Sequence, residues 1–327
     1  MRDEDGVVVP MRGSARARSG RSAAIGAEAE VLPFTGPDEL PALPEPAETP
    51  GWQQRLASGL AFARRRLEGD YSVDEFGLDR DFAETIELPV LRALYEKWFR
   101  VEVNGVEHLP ATGGALLVAN HAGGLWPIDS AMAAVAVHTE SGRFLRPLAA
   151  DLMFGLPVAG TLARRGGATL ATSADAERLL RAGELVGVWP EGFKGIGKPY
   201  RDRYQLRRFG RGGFVRCAIA AGVPIVPVSI VGSEEVHPVL GNARPLARML
   251  GLPYFPLTPT FPWLGPLGLV PLPSKWYIEF GPPVPTDRLV AELAGDPKAV
   301  FAVTDQVRDR IQATLDRLLA QRGSIWR

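Results

Sequence analysis

Three short apolar runs constrain the fold of this chain more than any other feature. They are ALLVA at 115–119, LVGVW at 185–189 and VPIVPVSI at 223–230. Stretches with helical periodicity lie around and between them, at 127–138, 174–182 and 212–221. Because the runs are apolar on both faces, they are typical of central strands that helices cover on each side. The alternation predicts an α/β fold.

Residues 101–327 continue this alternation with two more strand-like segments and a long final helix. The segments are VEVNGV at 101–106 and KWYIEF at 275–280. The helix, about 297–321, repeats apolar residues along one face: Val303, Val307, Ile311, Leu315 and Leu318. Since such a face must be buried, we expect this helix to pack across the sheet. The sequence therefore predicts a single α/β domain over 101–327.

Residues 1–50 differ in composition from the rest of the chain. Residues 31–50 hold six prolines, and each proline removes a backbone donor and fixes φ. No regular element can run through proline at this density. We therefore predict a disordered, proline-rich arm over 1–50, and its simplest role is that of a linker.

Two helices are predicted between residues 51 and 100. The first carries an apolar stripe beside the three arginines at 64–66: Trp52, Leu56, Leu60, Ala63 and Leu67. The second, at 88–100, carries Leu91, Leu94, Tyr95, Trp98 and Phe99. Stripes of this kind usually face a core, so we expect core packing. The alternative is that these helices dock on a membrane surface.

The segment 245–275 does not fit the alternation of strands and helices. It contains eight prolines, many leucines and aromatic residues, and only two charges, Arg248 and Lys275. Prolines exclude a long helix, yet the segment is too apolar for a solvated loop. Two interpretations stay open: a loop packed over the core, or an exposed apolar lip that serves membrane docking.

Composition excludes several classes of function. Lys and Arg total 37 and so do Asp and Glu, so no overall field recruits nucleic acid. One cysteine, Cys217, excludes a disulfide framework and a cysteine-rich zinc site and fits a reducing compartment. The four histidines lack paired metal-ligand spacing. With no signal-peptide pattern and no run long enough to span a bilayer, we expect a cytoplasmic protein, peripheral on the inner face of the membrane.

The most informative residues follow the first apolar run. That strand delivers Asn120 and His121 at its carboxyl end, where open α/β sheets place their sites. Gly123 and Gly124 allow a tight turn, and Asp129 would lie in the first turn of the next helix, within reach of the imidazole. Such a carboxylate fixes the tautomer, so the free ring nitrogen can take a proton from a hydroxyl. The alternative is a structural histidine beside a helix-capping aspartate.

A second polar group follows the second apolar run. Pro190-Glu191-Gly192 ends that strand. Glu191 would emerge at the same sheet edge as His121 if the two strands are parallel neighbours. The alternative is a glutamate that only caps a loop.

A strongly basic stretch comes next. Residues 194–216 hold eight Lys or Arg, including Lys194, and one acid. This excess suits multivalent phosphate, although charge runs are usually solvated faces. Tyr200, Tyr204 and Phe209 interleave with it, as on a single-stranded nucleic-acid surface, but no nucleic-acid motif accompanies them. Arg164 and Arg165 form a second, smaller candidate anion site.

The order of these motifs is more specific than any one of them. Asn120-His121 with its later aspartate precedes a Gly-Thr to Arg segment at 160–165, then Pro190-Glu191-Gly192, then the run at 223–230. This series resembles that of the glycerolipid acyltransferase superfamily, which includes lysophosphatidate acyltransferases, and the likeness covers about residues 95–235. The resemblance implies a mostly parallel sheet flanked by helices. It also implies transfer of a fatty acyl group from a thioester to a hydroxyl.

The resemblance assigns the reacting groups and the partners. His121 matches the general base, Asp129 its orienting carboxylate, and Asn120 the residue before the histidine. For the mechanism that this implies, we expect backbone N–H groups near Gly123 and Gly124, or at the helix start at Pro127, to stabilise the oxyanion. Acyl-CoA or acyl carrier protein would be the co-substrate, a lysolipid or acylglycerol the acceptor, and no cofactor would be needed.

The same likeness assigns the binding side of the site. Glu191 and Gly192 match the element that shapes the acceptor site, and Arg164 or Arg165 falls where the family often holds an acceptor phosphate. Lys194 begins the basic stretch that would hold phosphates of the donor or anionic lipid headgroups.

The chain also departs from the family pattern. Seven residues separate His121 from Asp129, more than usual, as in a subgroup related to mono- and diacylglycerol acyltransferases. Phe193 and Lys194 replace the more common Thr-Arg after Pro-Glu-Gly. Both changes weaken the expectation of a small phosphorylated glycerol as acceptor.

Three functions are alternatives to an acyltransferase with a phosphorylated acceptor. The first is an acyltransferase with a neutral mono- or diacylglycerol acceptor. The second is a non-enzymatic lipid-binding module on a membrane surface, which does not account for the motif series. The third is an α/β-hydrolase, which needs a G-x-S-x-G pentapeptide that the chain lacks.

Overall fold

A computed structural model describes residues 51–122, 126–286 and 296–326 of the chain. The proline-rich arm at 1–50 and the turn residues Gly123 and Gly124 lie outside the described residues. The strands are β1 Glu102–Asn104, β2 Ala115–Ala119, β3 Leu145–Ala149, β4 Thr169–Leu170, β5 Leu185–Val188, β6 Ile225–Val231, β7 Gly241–Asn242, β8 Pro256–Leu257 and β9 Tyr277–Phe280. The α-helices are α1 Trp52–Glu68, α2 Arg80–Phe82, α3 Leu88–Ala93, α4 Ile128–Ser141, α5 Asp151–Gly155, α6 Ala159–Arg165, α7 Ser173–Arg181, α8 Phe193–Ile196, α9 Gly213–Ala221, α10 Arg244–Met249 and α11 Pro297–Gln321.

A mostly parallel sheet organises the described part of the chain. Its seven strands run in the order β1-β9-β6-β2-β5-β3-β4, and β7 and β8 form a separate antiparallel pair. Every neighbouring pair in the large sheet is parallel except β6 with β9. The predicted α/β fold with helices flanking a mostly parallel sheet is confirmed.

The central strand β2 explains why its sequence is apolar on both faces. Leu116 and Val118 point into the layer that α11 covers, whereas Leu117 points into the layer that α4 covers. All five residues of β2 are buried. The face of α11 predicted to pack on the sheet is likewise buried: Val303, Val307, Ile311, Leu315 and Leu318.

Strand β3 was not evident from the sequence because a charged residue and a proline interrupt it. Arg146 lies within β3 and is almost fully buried. Its guanidinium bonds Asp74 Oδ2 at 2.7 Å and the Gly167 carbonyl at 3.1 Å. These partners compensate the burial of the charge.

Helix α1 contradicts the expectation that its apolar stripe faces the core. Leu67 is 90% exposed and Trp52 is 73% exposed, and Leu56 and Leu60 are also exposed. The opposite face holds the helix to the body, since Arg66 pairs with Asp79 at 2.6 Å. Periodicity identified the stripe correctly but not the direction in which it points. In the second helical stretch Tyr95 and Phe99 are buried as expected, while Trp98 is partly exposed.

The segment 245–275 presents an apolar lip to solvent. Trp263 is 70% exposed and Leu267 is 71% exposed, and Met249 of α10 is also exposed. The indole Nε1 of Trp98 donates to the Pro271 carbonyl at 3.0 Å, which ties this lip to the preceding helical stretch. The segment thus exposes apolar side chains, as the lip interpretation expected, and membrane docking through them stays a prediction. Across the described ranges, no helix combines the length and apolarity needed to cross a bilayer.

Replacing Ile311 by alanine tests the packing of α11 on the sheet. Ile311 is fully buried in the layer between α11 and the sheet, so Ile311→Ala should lower the free energy of unfolding by about 2–5 kcal/mol. Gln306→Ala, at an exposed position of the same helix, should change it by less than about 0.5 kcal/mol. Urea denaturation followed by circular dichroism measures both. Equal effects would show that α11 does not pack as described.

Candidate active site

The side chains of His121 and Asp129 meet at the carboxyl end of β2. His121 leaves the sheet two residues after the strand ends, and Asp129 lies in the first turn of α4. Nδ1 of His121 is 2.7 Å from Oδ2 of Asp129. The structure thus brings together the two residues singled out for proton transfer.

Asp129 is fully buried, and backbone groups of the turn surround its carboxylate. Oδ2 accepts from the Ala122 N–H at 2.8 Å, and Oδ1 accepts from the Ser130 N–H at 2.8 Å. The carboxylate also lies at a helix N-terminus, where the helix dipole favours negative charge. A carboxylate that only accepts requires its imidazole partner to donate, so Nδ1 of His121 carries the proton.

The imidazole of His121 is reachable from solvent. Its side chain is 14% exposed. No described residue forms a hydrogen bond with Nε2. With the proton held on Nδ1, Nε2 presents a lone pair at this opening. Nε2 of His121 can therefore remove a proton from a bound hydroxyl.

Glu191 lies beside His121, as its position at the end of β5 suggested. Strands β2 and β5 are parallel neighbours, with Val118 opposite Val188. Oε1 of Glu191 accepts from the His121 N–H at 3.0 Å, and Oε2 accepts from the Arg207 N–H at 2.7 Å. Both oxygens are engaged by the backbone, and the side chain is fully buried. The next residue, Gly192, has a φ of +55°, which favours glycine.

Asn120 is also engaged within the sheet. Its Nδ2 donates to the Ile230 carbonyl at 2.9 Å, and its Oδ1 accepts from the Ile230 N–H at 2.8 Å. The side chain replaces a pair of ladder hydrogen bonds between the end of β2 and β6. Asn120 is thereby placed to hold the strand end that carries His121.

Three residues that the sequence analysis did not single out border the imidazole. The Trp189 ring lies 6.0 Å from the His121 ring, and its buried Nε1 has no hydrogen-bond partner among the described residues. A Cβ on Gly195 would lie 2.8 Å from the His121 carbonyl oxygen. Tyr254, in the lip segment 245–275, is close enough to Asp129 that burial, together with that charge, raises the pKa of its hydroxyl.

Arg164 and Arg165 line an open cavity of about 340 Å³. They end α6, and their guanidinium groups lie over the rings of Phe154 and Phe82, respectively. Other residues of the lining are Tyr71, Val73, Gly77, Asp79, Phe154, Gly160 and Thr161. Neither His121 nor Asp129 is among the residues that line this cavity.

The basic stretch 194–216 is only partly a surface. Lys194 is exposed, as are Arg201, Arg203, Arg208, Arg211 and Arg216. Lys198 is buried, with Nζ 3.0 Å from Oε1 of Glu234, so it is not available to a phosphate. Tyr204 and Phe209 are buried as well, so they cannot stack on nucleic-acid bases. The basic surface is therefore smaller than the stretch 194–216, and the burial of Tyr204 and Phe209 gives no support to the nucleic-acid alternative.

Two buried acids near the site were missed. Glu234 and Glu235 follow β6 in a short 3-10 turn at Ser233–Glu235, and both are buried. The signal was present in the sequence, since acids directly after an apolar strand are the pattern that drew attention to Glu191. In the described ranges, no cluster of His, Cys, Asp and Glu could hold a metal ion.

Comparisons with known proteins find a family model, related sequences and a solved structure that are similar to this chain. A family model described as Acyltransferase matches residues 100–231. An uncharacterised protein of Mycobacterium leprae is 56% identical over 275 residues, covering 84% of this chain and 75% of that protein. A human protein named "DGAT1/2-independent enzyme synthesizing storage lipids" is 28% identical over 228 residues, covering 69% of this chain and 67% of that protein. The solved structure of PlsC, a 1-acyl-sn-glycerophosphate (LPA) acyltransferase from Thermotoga maritima, aligns with a TM-score of 0.48 and 17% identity over 83% of this chain and 98% of that one.

Gly195→Ala tests the close packing behind His121. The new Cβ would lie 2.8 Å from the His121 carbonyl oxygen and 3.0 Å from its Cβ. We expect the free energy of unfolding to fall by about 1–3 kcal/mol, as for overpacked interiors. Gly155→Ala, where a Cβ meets nothing within 4 Å, is the matched control and should change stability little. Chemical denaturation compares the two, and equal stabilities would contradict the described contact.

Proposed function

This chain belongs to the glycerolipid acyltransferase superfamily, and we propose that it uses His/Asp general-base catalysis to acylate a lipid hydroxyl. The acyl donor is an acyl thioester, either acyl-CoA or acyl carrier protein. The acceptor is a glycerolipid or a lysophospholipid. The observation that carries the proposal is the 2.7 Å contact between Nδ1 of His121 and a fully buried Asp129.

The proposed step moves one proton and exchanges one acyl bond. The acceptor hydroxyl gives its proton to Nε2 of His121 while its oxygen attacks the thioester carbonyl carbon. The resulting tetrahedral oxyanion re-forms the carbonyl and expels the thiolate. The thiolate takes the proton from the imidazolium, so the products are an ester and a free thiol. Asp129 stabilises the imidazolium, and positioned proton transfer of this kind contributes about 10²–10⁴-fold to the rate.

Exposed cations of the basic stretch 194–216 support an anionic donor. Lys194 follows the Pro-Glu-Gly turn and is exposed, and five arginines between 201 and 216 are exposed as well. Both coenzyme A and acyl carrier protein present phosphate to such a surface. Lys198 is left out of this role because it is buried in an ion pair.

Two acceptor classes have support of different kinds. A phosphorylated acceptor is supported by Arg164 and Arg165, which line an open cavity of about 340 Å³. A neutral acylglycerol is supported by the seven-residue spacing between His121 and Asp129. It is also supported by the human relative, whose name describes an enzyme synthesizing storage lipids. An acceptor panel therefore needs lysophosphatidate, other lysophospholipids, monoacylglycerol and diacylglycerol.

We propose further that the protein works at a membrane surface. The apolar stripe of α1 faces solvent, while Arg65 and Arg66 on its other face pair with Asp81 and Asp79. An apolar stripe that points away from the body is suited to the boundary between headgroups and acyl chains. The exposed lip containing Trp263 and Leu267 supports the same proposal.

His121→Ala tests the assignment of the base. The variant should lose acyl transfer by about 10²–10⁴-fold, because it lacks the proposed base. The assay combines radiolabelled acyl-CoA or acyl carrier protein with the acceptor panel and separates the lipid products. His138→Ala, at the last turn of α4, should retain activity, and both variants should keep the wild-type circular-dichroism spectrum. Full turnover by His121→Ala would refute the base. Lack of product from wild-type protein with every acceptor would favour the non-enzymatic lipid-binding module.

Flotation with anionic liposomes tests the role of α1. Leu56→Glu/Leu60→Glu places two charges on the exposed apolar stripe and should leave the protein in the unbound fraction. The matched control, Ala57→Glu/Ala61→Glu, adds the same charges at exposed positions beside the stripe and should still float. Equal flotation of the two variants would contradict docking through the stripe.

A further inference from the structure

A buried charge cluster lies directly behind the backbone of His121. Glu191, whose oxygens accept from the N–H groups of His121 and Arg207, has a fully buried side chain. Nζ of Lys198 is 3.7 Å from Oε2 of Glu191 and 3.0 Å from Oε1 of Glu234. The Lys198 side chain is 1% exposed. Two carboxylates and one ammonium thus share a buried site.

Lys198 is the cation common to both carboxylates. Among the described residues, no other Lys or Arg lies within 4.0 Å of Glu191 or Glu234. The neighbouring acid, Glu235, is served separately, by Arg322 Nη1 at 3.0 Å and by the Tyr204 hydroxyl. Oε1 of Glu234 also accepts from the Tyr204 N–H at 2.7 Å, so a backbone hydrogen bond holds Glu234 in addition to its pairing with Lys198.

Removing Lys198 would leave two carboxylates facing each other without a cation. Buried like charges are unfavourable, and one of the two groups then takes up a proton or moves away. Burial raises the pKa of Glu234 to about 7 even though Lys198 acts to lower it. The groups that face Glu234 are Lys198, Glu191, Tyr200 and Tyr204, with His237 on its own element.

We infer that Lys198, paired with Glu234, is a positioning residue for the reaction: it holds Glu191 in place, and Glu191 holds the backbone of His121. The inference rests on the proposed role of His121 as base. Consecutive N–H groups are bound by two different acids, since His121 donates to Glu191 and Ala122 donates to Asp129. Asp129 orients the imidazole, and Glu191 fixes the peptide from which the imidazole projects.

The proposal explains why an ammonium is buried in a stretch that is otherwise exposed. Among the described residues Glu191 accepts hydrogen bonds from two backbone N–H groups, and the Lys198 ammonium, 3.7 Å from Oε2, is the cation that pairs with it. If Glu191 were released, the His121 peptide would shift, and a displacement of about 1 Å in a reacting group can cost about 10²-fold in rate. Substrate contacts elsewhere on the surface would be unaffected.

Four variants test the inference. Lys198→Met should lower kcat by about 10–100-fold and leave KM within about threefold, because positioning affects the reacting geometry and not substrate binding. Glu234→Gln should stay close to wild type, since Lys198 still serves Glu191. The double variant Lys198→Met/Glu234→Gln should still turn over about tenfold more slowly than Glu234→Gln, because Glu191 has lost its cation. Lys298→Met, at an exposed lysine of α11, is the matched control and should keep wild-type kcat.

A second measurement does not depend on catalysis. Hydrogen–deuterium exchange of the His121 amide should be about tenfold faster in Lys198→Met, because the N–H loses a fixed acceptor. Amides of the central strand β6 should exchange as in wild type. If wild-type protein shows no acyl transfer, the proposed function fails, whereas the exchange rate still decides whether Lys198 holds this peptide.

The outcomes separate positioning from simple structural support. Wild-type values of both kcat and His121 exchange in Lys198→Met would overturn the inference, and so would an equal loss of kcat in Lys298→Met. Where Lys198→Met does not fold, the double variant is compared with Glu234→Gln. Slower turnover and faster His121 exchange in the double variant support the inference, and equality in both measurements overturns it.

Discussion

The hydrogen bond between Asp129 and His121 is the interaction on which the rest of the site depends. A fully buried carboxylate is tolerated only with donors around it, and here the Ala122 and Ser130 N–H groups and the imidazole supply them. The same bond decides which ring nitrogen is left with a lone pair. Because Asp129 enters from the first turn of α4 and His121 from the end of β2, the site forms only when helix and strand are docked.

The topology of the sheet explains why acids converge at this point. Strand β2 lies between β5 and β6 and is parallel to both, so their carboxyl ends share one edge. The segments that follow them carry His121, Glu191 and the buried turn Ser233–Glu235. Each acid is met by a donor from another segment: a backbone N–H, Lys198 or Arg322. Fixed charges on a rigid edge leave the His121 imidazole as the group open to a substrate.

The sequence predicted the parts of this structure that local pattern encodes. Runs such as 115–119 are apolar on both faces because two helical layers cover them, and that alone indicated central strands. The His121–Asp129 contact followed from a strand end and a helix start only a few residues apart. Pattern failed where a distant partner decides the outcome. The basic stretch predicted an exposed Lys198, but its partner Glu234, thirty-six positions further along the chain, lies beside it and the lysine is buried. The apolar stripe of α1 points outward because Asp79 and Asp81 bind the arginines on another face of the helix. Arg146 concealed β3 for the same reason, since Asp74 lies far away in sequence.

The central claim is that Asp129 holds the proton of His121 on Nδ1 and leaves Nε2 free to act as the base. Nitrogen-15 NMR of the histidine ring at neutral pH measures this directly, because protonated and unprotonated ring nitrogens resonate far apart. The account predicts a neutral imidazole with the proton on Nδ1 and an unprotonated Nε2. A neutral ring with its proton on Nε2 would contradict it, since that nitrogen could not then accept a proton from a lipid hydroxyl.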